Sequence, residues 1–105
     1  MYSCVFVKYL WKDKEKKRRF KVLEKRLSLA FAPTQGLEVC EGEWFSGTIE
    51  RVVWDNVASV FSLKVTDIVP KKGISAELLY DVAIKQGWQE SGSKDNGEDK
   101  SKLEK

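Results

Sequence analysis

Residues 12–32 read KDKEKKRRFKVLEKRLSLAFA, and the fold turns on whether this stretch is one helix or a loop followed by a strand. Phe20, Leu23, Leu27, Ala30 and Phe31 share a helical face, and the Lys, Glu and Arg between them are good helix formers. Against this, Leu27, Leu29 and Phe31 alternate with Arg26, Ser28, Ala30 and Ala32 and run into Pro33, Thr34, Gln35 and Gly36. Strand period and turn signal coincide there. The favoured reading is a strand over 20–32 with a bulge or bend near Glu24, where the apolar phase passes from Phe20 and Val22 to Leu27 and Leu29. Residues 12–19 then form a solvated hairpin loop. A helix over about 13–30 is the competing reading.

Upstream, YSCVFVKYLW at 2–11 is rich in β-branched and aromatic residues and too short for a buried helix, so it reads as a strand. Val5, Val7, Tyr9 and Trp11 make one face apolar, and Cys4, Phe6 and Leu10 do the same for the other. Such a strand should be central or lie under a helix. Downstream, 36–40 reads as a short strand, 41–43 as a turn, and 44–54 as a strand with a bend at Ser46 and Gly47. Asp55 and Asn56 mark a hairpin turn before a long strand over 57–69, in which Phe61, Leu63 and Val65 alternate with Ser62, Lys64 and Thr66. A two-residue loop sets Trp54 against Val57 and Glu50 against Phe61. A three-residue loop sets Ile49 against Leu63 and Arg51 against Phe61. Neither register is free of a charge facing a ring, so the loop length stays open.

Pro70 ends the strands. Ser75 is suited to N-cap a helix, with Ile74 and Leu79 as its staple and Gly87 as its stop. Leu78, Leu79, Val82 and Ala83 form its apolar stripe, and Trp88 should plug the core just beyond it. From Gln89 to Lys105 the only large apolar residue is Leu103. The expected organisation is a β-rich globular domain over 1–88 and a disordered charged tail over 89–105. The fold class is α+β, a small antiparallel twisted sheet or partly open barrel of about five strands with one C-terminal helix.

The chain has 105 residues, 42% apolar and 33% charged, with a net charge of +3. This suits one domain with a modest core. The charge is unevenly spread. Residues 8–27 carry ten Lys or Arg against three acids, a net +7, whereas 28–88 carry five against eight and 89–105 four against five. A basic segment beside an acidic remainder indicates an anionic partner or internal pairing.

Histidine is absent, which removes every imidazole-based triad and the commonest metal ligand. Cys4 and Cys40 stand alone, without zinc-ligand spacing, and read as two buried reduced thiols. The glycines are isolated turn residues with no phosphate-loop pattern. No cofactor, metal or catalytic residue is expected, and no apolar run approaches the ~20 residues needed to cross a bilayer. These features point to a cytoplasmic, non-enzymatic binding module. Lys14, Lys16, Lys17, Arg18, Arg19 and Lys21, with Trp11 as a stacking ring, are the candidate ligand-binding residues within the basic segment 12–21. Nucleic acid is the expected partner, ahead of an acidic protein. The alternative is an assembly subunit that binds another chain through exposed aromatics or a sheet edge.

Overall fold

A computed structural model describes residues 1–40 and 47–91. Within them the chain forms a six-stranded mixed sheet, curled into a half-barrel, and one helix. The strands are β1 (Tyr2–Trp11), β2 (Arg19–Leu29), β3 (Glu38–Val39), β4 (Gly47–Asp55), β5 (Val60–Val65) and β6 (Gln89–Glu90), and α1 is Ala76–Lys85. Their spatial order is β3-β4-β5-β1-β2-β6. The α+β class and the single helix hold. The sheet is not purely antiparallel, because β1 and β5 run parallel, with Cys4 opposite Phe61 and Val7 opposite Lys64. Two hairpins, β1–β2 and β4–β5, are thus joined side by side. β1 lies between β5 and β2 as the central strand its two apolar faces require.

Residues 12–32 are loop and strand. β1 and β2 pair without a break from Tyr2 opposite Leu29 to Leu10 opposite Lys21, then shift so that Trp11 faces Arg19. The irregularity therefore falls at Phe20 and not at Glu24. The apparent change of phase has a simple cause. Lys21 and Lys25 occupy the covered face alongside Leu23, and they lie 5.2 Å and 5.8 Å from the ring centres of Tyr80 and Trp88. Long lysine stems substitute there for apolar side chains.

The core lies between this covered face and α1, and includes Phe6, Leu10, Leu23, Leu63, Val65, Leu79, Ala83 and Trp88. Lys8 belongs to the same face. It is 2% exposed, and its ammonium sits 4.8 Å from the Trp88 ring centre. The helix forms as its sequence dictates: the Ser75 hydroxyl accepts the Leu78 N–H at 3.1 Å, and Gly87, at φ 97°, supplies the left-handed residue that ends it. Leu78, assigned to the apolar stripe, is exposed, and Ala76, Leu79 and Ala83 are the buried positions.

Two further boundaries differ from expectation. The β4–β5 loop spans four residues, with Asp55 opposite Val60 and Trp54 opposite Phe61. The Asp55 carboxylate accepts the N–H groups of Val57 and Ala58, both at 3.0 Å, so the side chain builds the turn itself. This register removes the conflict of a charge facing a ring. Gly47 lies so close to Thr66 that a Cβ there would meet the Thr66 Cβ at 2.9 Å, which accounts for glycine at this position. The folded chain also continues past Trp88, since Gln89 and Glu90 pair with Glu24 and Leu23. Glu90 also meets Lys21 and Tyr80. The turn at 41–43, the start of the strand expected from residue 44 and the tail beyond Ser91 lie outside the described residues.

Cys4 is 2% exposed, while Cys40 is exposed and not bonded to it. The expectation of two buried thiols therefore fails at Cys40, at the end of the short edge strand β3. Burial pushes the Cys4 thiol up. In the native protein one thiol should react rapidly with a thiol reagent, and the second only on unfolding. Equal rates for both would contradict the placement of Cys4.

Candidate nucleic-acid interface

The face of the sheet away from α1 carries Val5, Val7, Tyr9 and Trp11 of β1, Ser62 and Lys64 of β5, and Arg51, Val53 and Asp55 of β4, as the strand registers require. A shallow groove of about 390 Å³ runs over it, lined by Val7, Tyr9, Arg51, Val53, Asp55, Ser62 and Lys64. Tyr9 is its central ring. The Lys64 ammonium lies 4.7 Å from the ring centre and the Arg19 guanidinium 4.9 Å, so two cations share one aromatic face system.

At the upper end of this face the β1–β2 loop turns. The Asp13 carboxylate accepts the N–H of Arg18 at 2.9 Å and of Lys17 at 3.2 Å, and Lys16 takes φ 59°. Those bonds, the Arg18 N–H foremost, hold the Asp13 carboxyl below its ordinary range. An acid within a basic loop thus acts as its internal brace. Lys14, Lys17 and Arg18 are left exposed, with no ion pair among the described residues.

The other expected residues divide. Lys16 pairs with Asp67 at 3.3 Å, and Lys12, the first residue of the segment, pairs with Glu77. Lys21 lies on the covered face with Glu90, Phe20 and Tyr80, away from the loop cations. Trp11 is half-buried and donates its indole N–H to Asp67 at 2.9 Å. It is a fixed wall of the site and not a freely projecting ring. Sequence reasoning missed Tyr9, Arg51, Lys64 and Asp67. The alternation of β1 and the polar phase of β5 were the available signals, but which strands became neighbours was not.

Asp67 ties the two halves together. Burial acts to raise its pKa, but the bonds from Lys64 and Trp11 and the charges of Lys64 and Lys16 outweigh it, and the carboxyl is held below its ordinary value. Among the described residues no group of three or more His, Cys, Asp or Glu is placed to hold a metal ion. No helix among them is long and apolar enough to cross a membrane. Comparison with protein-family models, with curated proteins and with solved structures finds no match to this chain. The functional reading therefore rests on the residues themselves.

Proposed function

We propose that this chain is a small, non-enzymatic binding module of the cytoplasm that holds a single-stranded nucleic acid across the β1–β2 loop and the open face of the sheet. The observation that carries the reading is the set of exposed loop cations, Lys14, Lys17 and Arg18, adjoining a half-buried ring, Tyr9, flanked by Arg19 and Lys64. Phosphates would be neutralised by the loop. A base would stack at the groove, where rings accept any base because every base has a π-face. A ring set in a groove reaches a base only where the strand is unpaired, which favours a single strand over a duplex.

The test uses the full chain and a labelled single-stranded oligonucleotide of about 12 nucleotides at low ionic strength. Replacing Lys14, Lys17 and Arg18 together by Ser should weaken binding about tenfold or more. The fold should persist, because the brace at Asp13 uses backbone N–H groups. Arg26→Ser, which removes an exposed cation paired with Glu24 at 3.7 Å, should change affinity little. Equal binding by the triple variant and the wild type would refute the proposed interface. The assembly-subunit reading keeps one specific observation in its favour, the stretch of the β4 edge that no described strand covers.

A further inference from the structure

β3 covers only the first part of β4. Glu38 and Val39 pair with Thr48 and Gly47, and the last contacts on that side are at Ile49, whose N–H reaches the Leu37 carbonyl at 2.9 Å and whose carbonyl accepts from Gly36 at 2.8 Å. From Glu50 to Asp55 no described strand lies on the outer side of β4. The direction of the backbone groups there follows from the register. Thr48 faces β5, its carbonyl accepting the Thr66 N–H at 3.1 Å, and Ile49 faces outward. The bulge between Ile49 and Arg51 inserts one residue into the alternation. Val52 and Trp54 therefore turn N–H and C=O outward, while Arg51, Val53 and Asp55 face β5.

We propose that this edge pairs with the same edge of a second copy of the chain, antiparallel, with Val53 on the twofold axis. In that register the backbone of Val52 meets the backbone of Trp54 of the second copy, outward groups on outward groups, and symmetry repeats the exchange. Side chains match as well. Arg51 stands opposite Asp55 of the second copy on the open face, and Asp55 opposite Arg51. On the other face Val52 meets Trp54, which is 49% exposed in the single chain and extends the row formed with Phe61 and Tyr2 at ring separations of 5.0 Å and 6.1 Å. Shifting the axis to Val52 sets Glu50 against Trp54, and shifting it to Trp54 sets Val53 against Asp55. Placing the axis between Val52 and Val53 opposes Glu50 to Asp55 and brings outward groups against inward ones. Only the register on Val53 pairs the charges with their opposites. The axis is perpendicular to the sheet, so both open faces lie on one side. Five strand spacings, about 24 Å, then separate the two β1 strands across the joined sheet.

The experiment is sedimentation of the full chain over a concentration series, which should show the mass rising from 12.1 kDa to twice that. Arg51→Glu and Asp55→Lys, each alone, place like charges in both symmetric contacts and should weaken the dimer about tenfold. An equimolar mixture of the two variants should restore it, because every contact is then between opposite charges. Asp55 also caps its own hairpin, so a second measurement stands beside these. Val53→Cys in a Cys40→Ser background puts two thiols on the axis, at a pair of the close type with Cα atoms about 4.5 Å apart. Mild oxidation should link them, whereas Ser62→Cys in the same background, one strand inward, should form no cross-link. A chain that sediments as a monomer throughout and fails to cross-link at Val53 overturns the proposal. So does a dimer that survives both charge reversals.

Discussion

Replacing Trp88 by Ala is expected to destabilise the domain by about 3–5 kcal/mol and to lower Tm by at least ~12 °C for a domain of this size. The ring is 2% exposed and lies in the core cluster with Leu10, Leu23 and Ala83, so its removal leaves a cavity under α1 that this short helix cannot fill. It also withdraws the aromatic surface beneath two ammonium groups, Lys8 at 4.8 Å and Lys25 at 5.8 Å. Lys8 is itself buried, and a buried cation is costly once a favourable neighbour is lost. Trp88→Phe keeps a π-face and should recover more than half of the loss. Urea unfolding of the three proteins checks this. A Trp88→Ala variant within ~1 kcal/mol of the wild type would show that the ring does not carry the packing between helix and sheet.

Asp67→Asn should have the second largest effect, and it should act in opposite directions on stability and binding. The carboxylate is 13% exposed and receives Trp11, Lys64 and Lys16. Weakening these charge-assisted bonds is expected to cost about 1.5–3 kcal/mol at neutral pH. Its pKa is depressed in the folded state, so the stability it supplies is present above the unfolded carboxyl value, about 3.9. That stability is lost as pH falls through the lower folded value, and the gap between wild type and variant should close in strong acid. The same substitution removes a negative charge between two lysines on the open face. Affinity for a single strand should therefore rise about two- to fivefold, the ~0.5–1 kcal/mol of an exposed charge interaction. A variant that is destabilised and also binds more weakly would argue against the open face as the ligand surface.

Much of the architecture could be read from short-range pattern. The helix limits at Ser75 and Gly87, the central position of β1 and the loop-and-strand character of 12–32 all follow from caps, turns and period. What could not be read was long-range. The parallel contact of β1 with β5 joins two hairpins distant in sequence, and no local signal records it. The bulge was misplaced because Lys21 and Lys25 sit on the covered face, where a binary pattern reads them as solvent-facing. The same effect concealed Lys8 in the core. For the candidate site, the loop cations were legible as composition. The division of labour within the basic segment was not, because it depends on which acids the fold brings near: Asp67 to Lys16, Glu77 to Lys12 and Glu90 to Lys21. The segment supplies fewer available charges than its net +7 suggests. Those that remain, with Tyr9 and Lys64 from other strands, define a smaller and more specific surface.

The most direct test of that surface is the salt dependence of binding to a single-stranded oligonucleotide, measured for the full chain and for the variant with Ser at positions 14, 17 and 18. Each phosphate neutralised on a single strand contributes about 0.7 to the slope of log affinity against log salt. The wild type should show a steep negative slope, and the variant one shallower by about 2, in proportion to three lost cations. Parallel slopes for the two proteins, or no binding by the wild type at low ionic strength, would contradict the account.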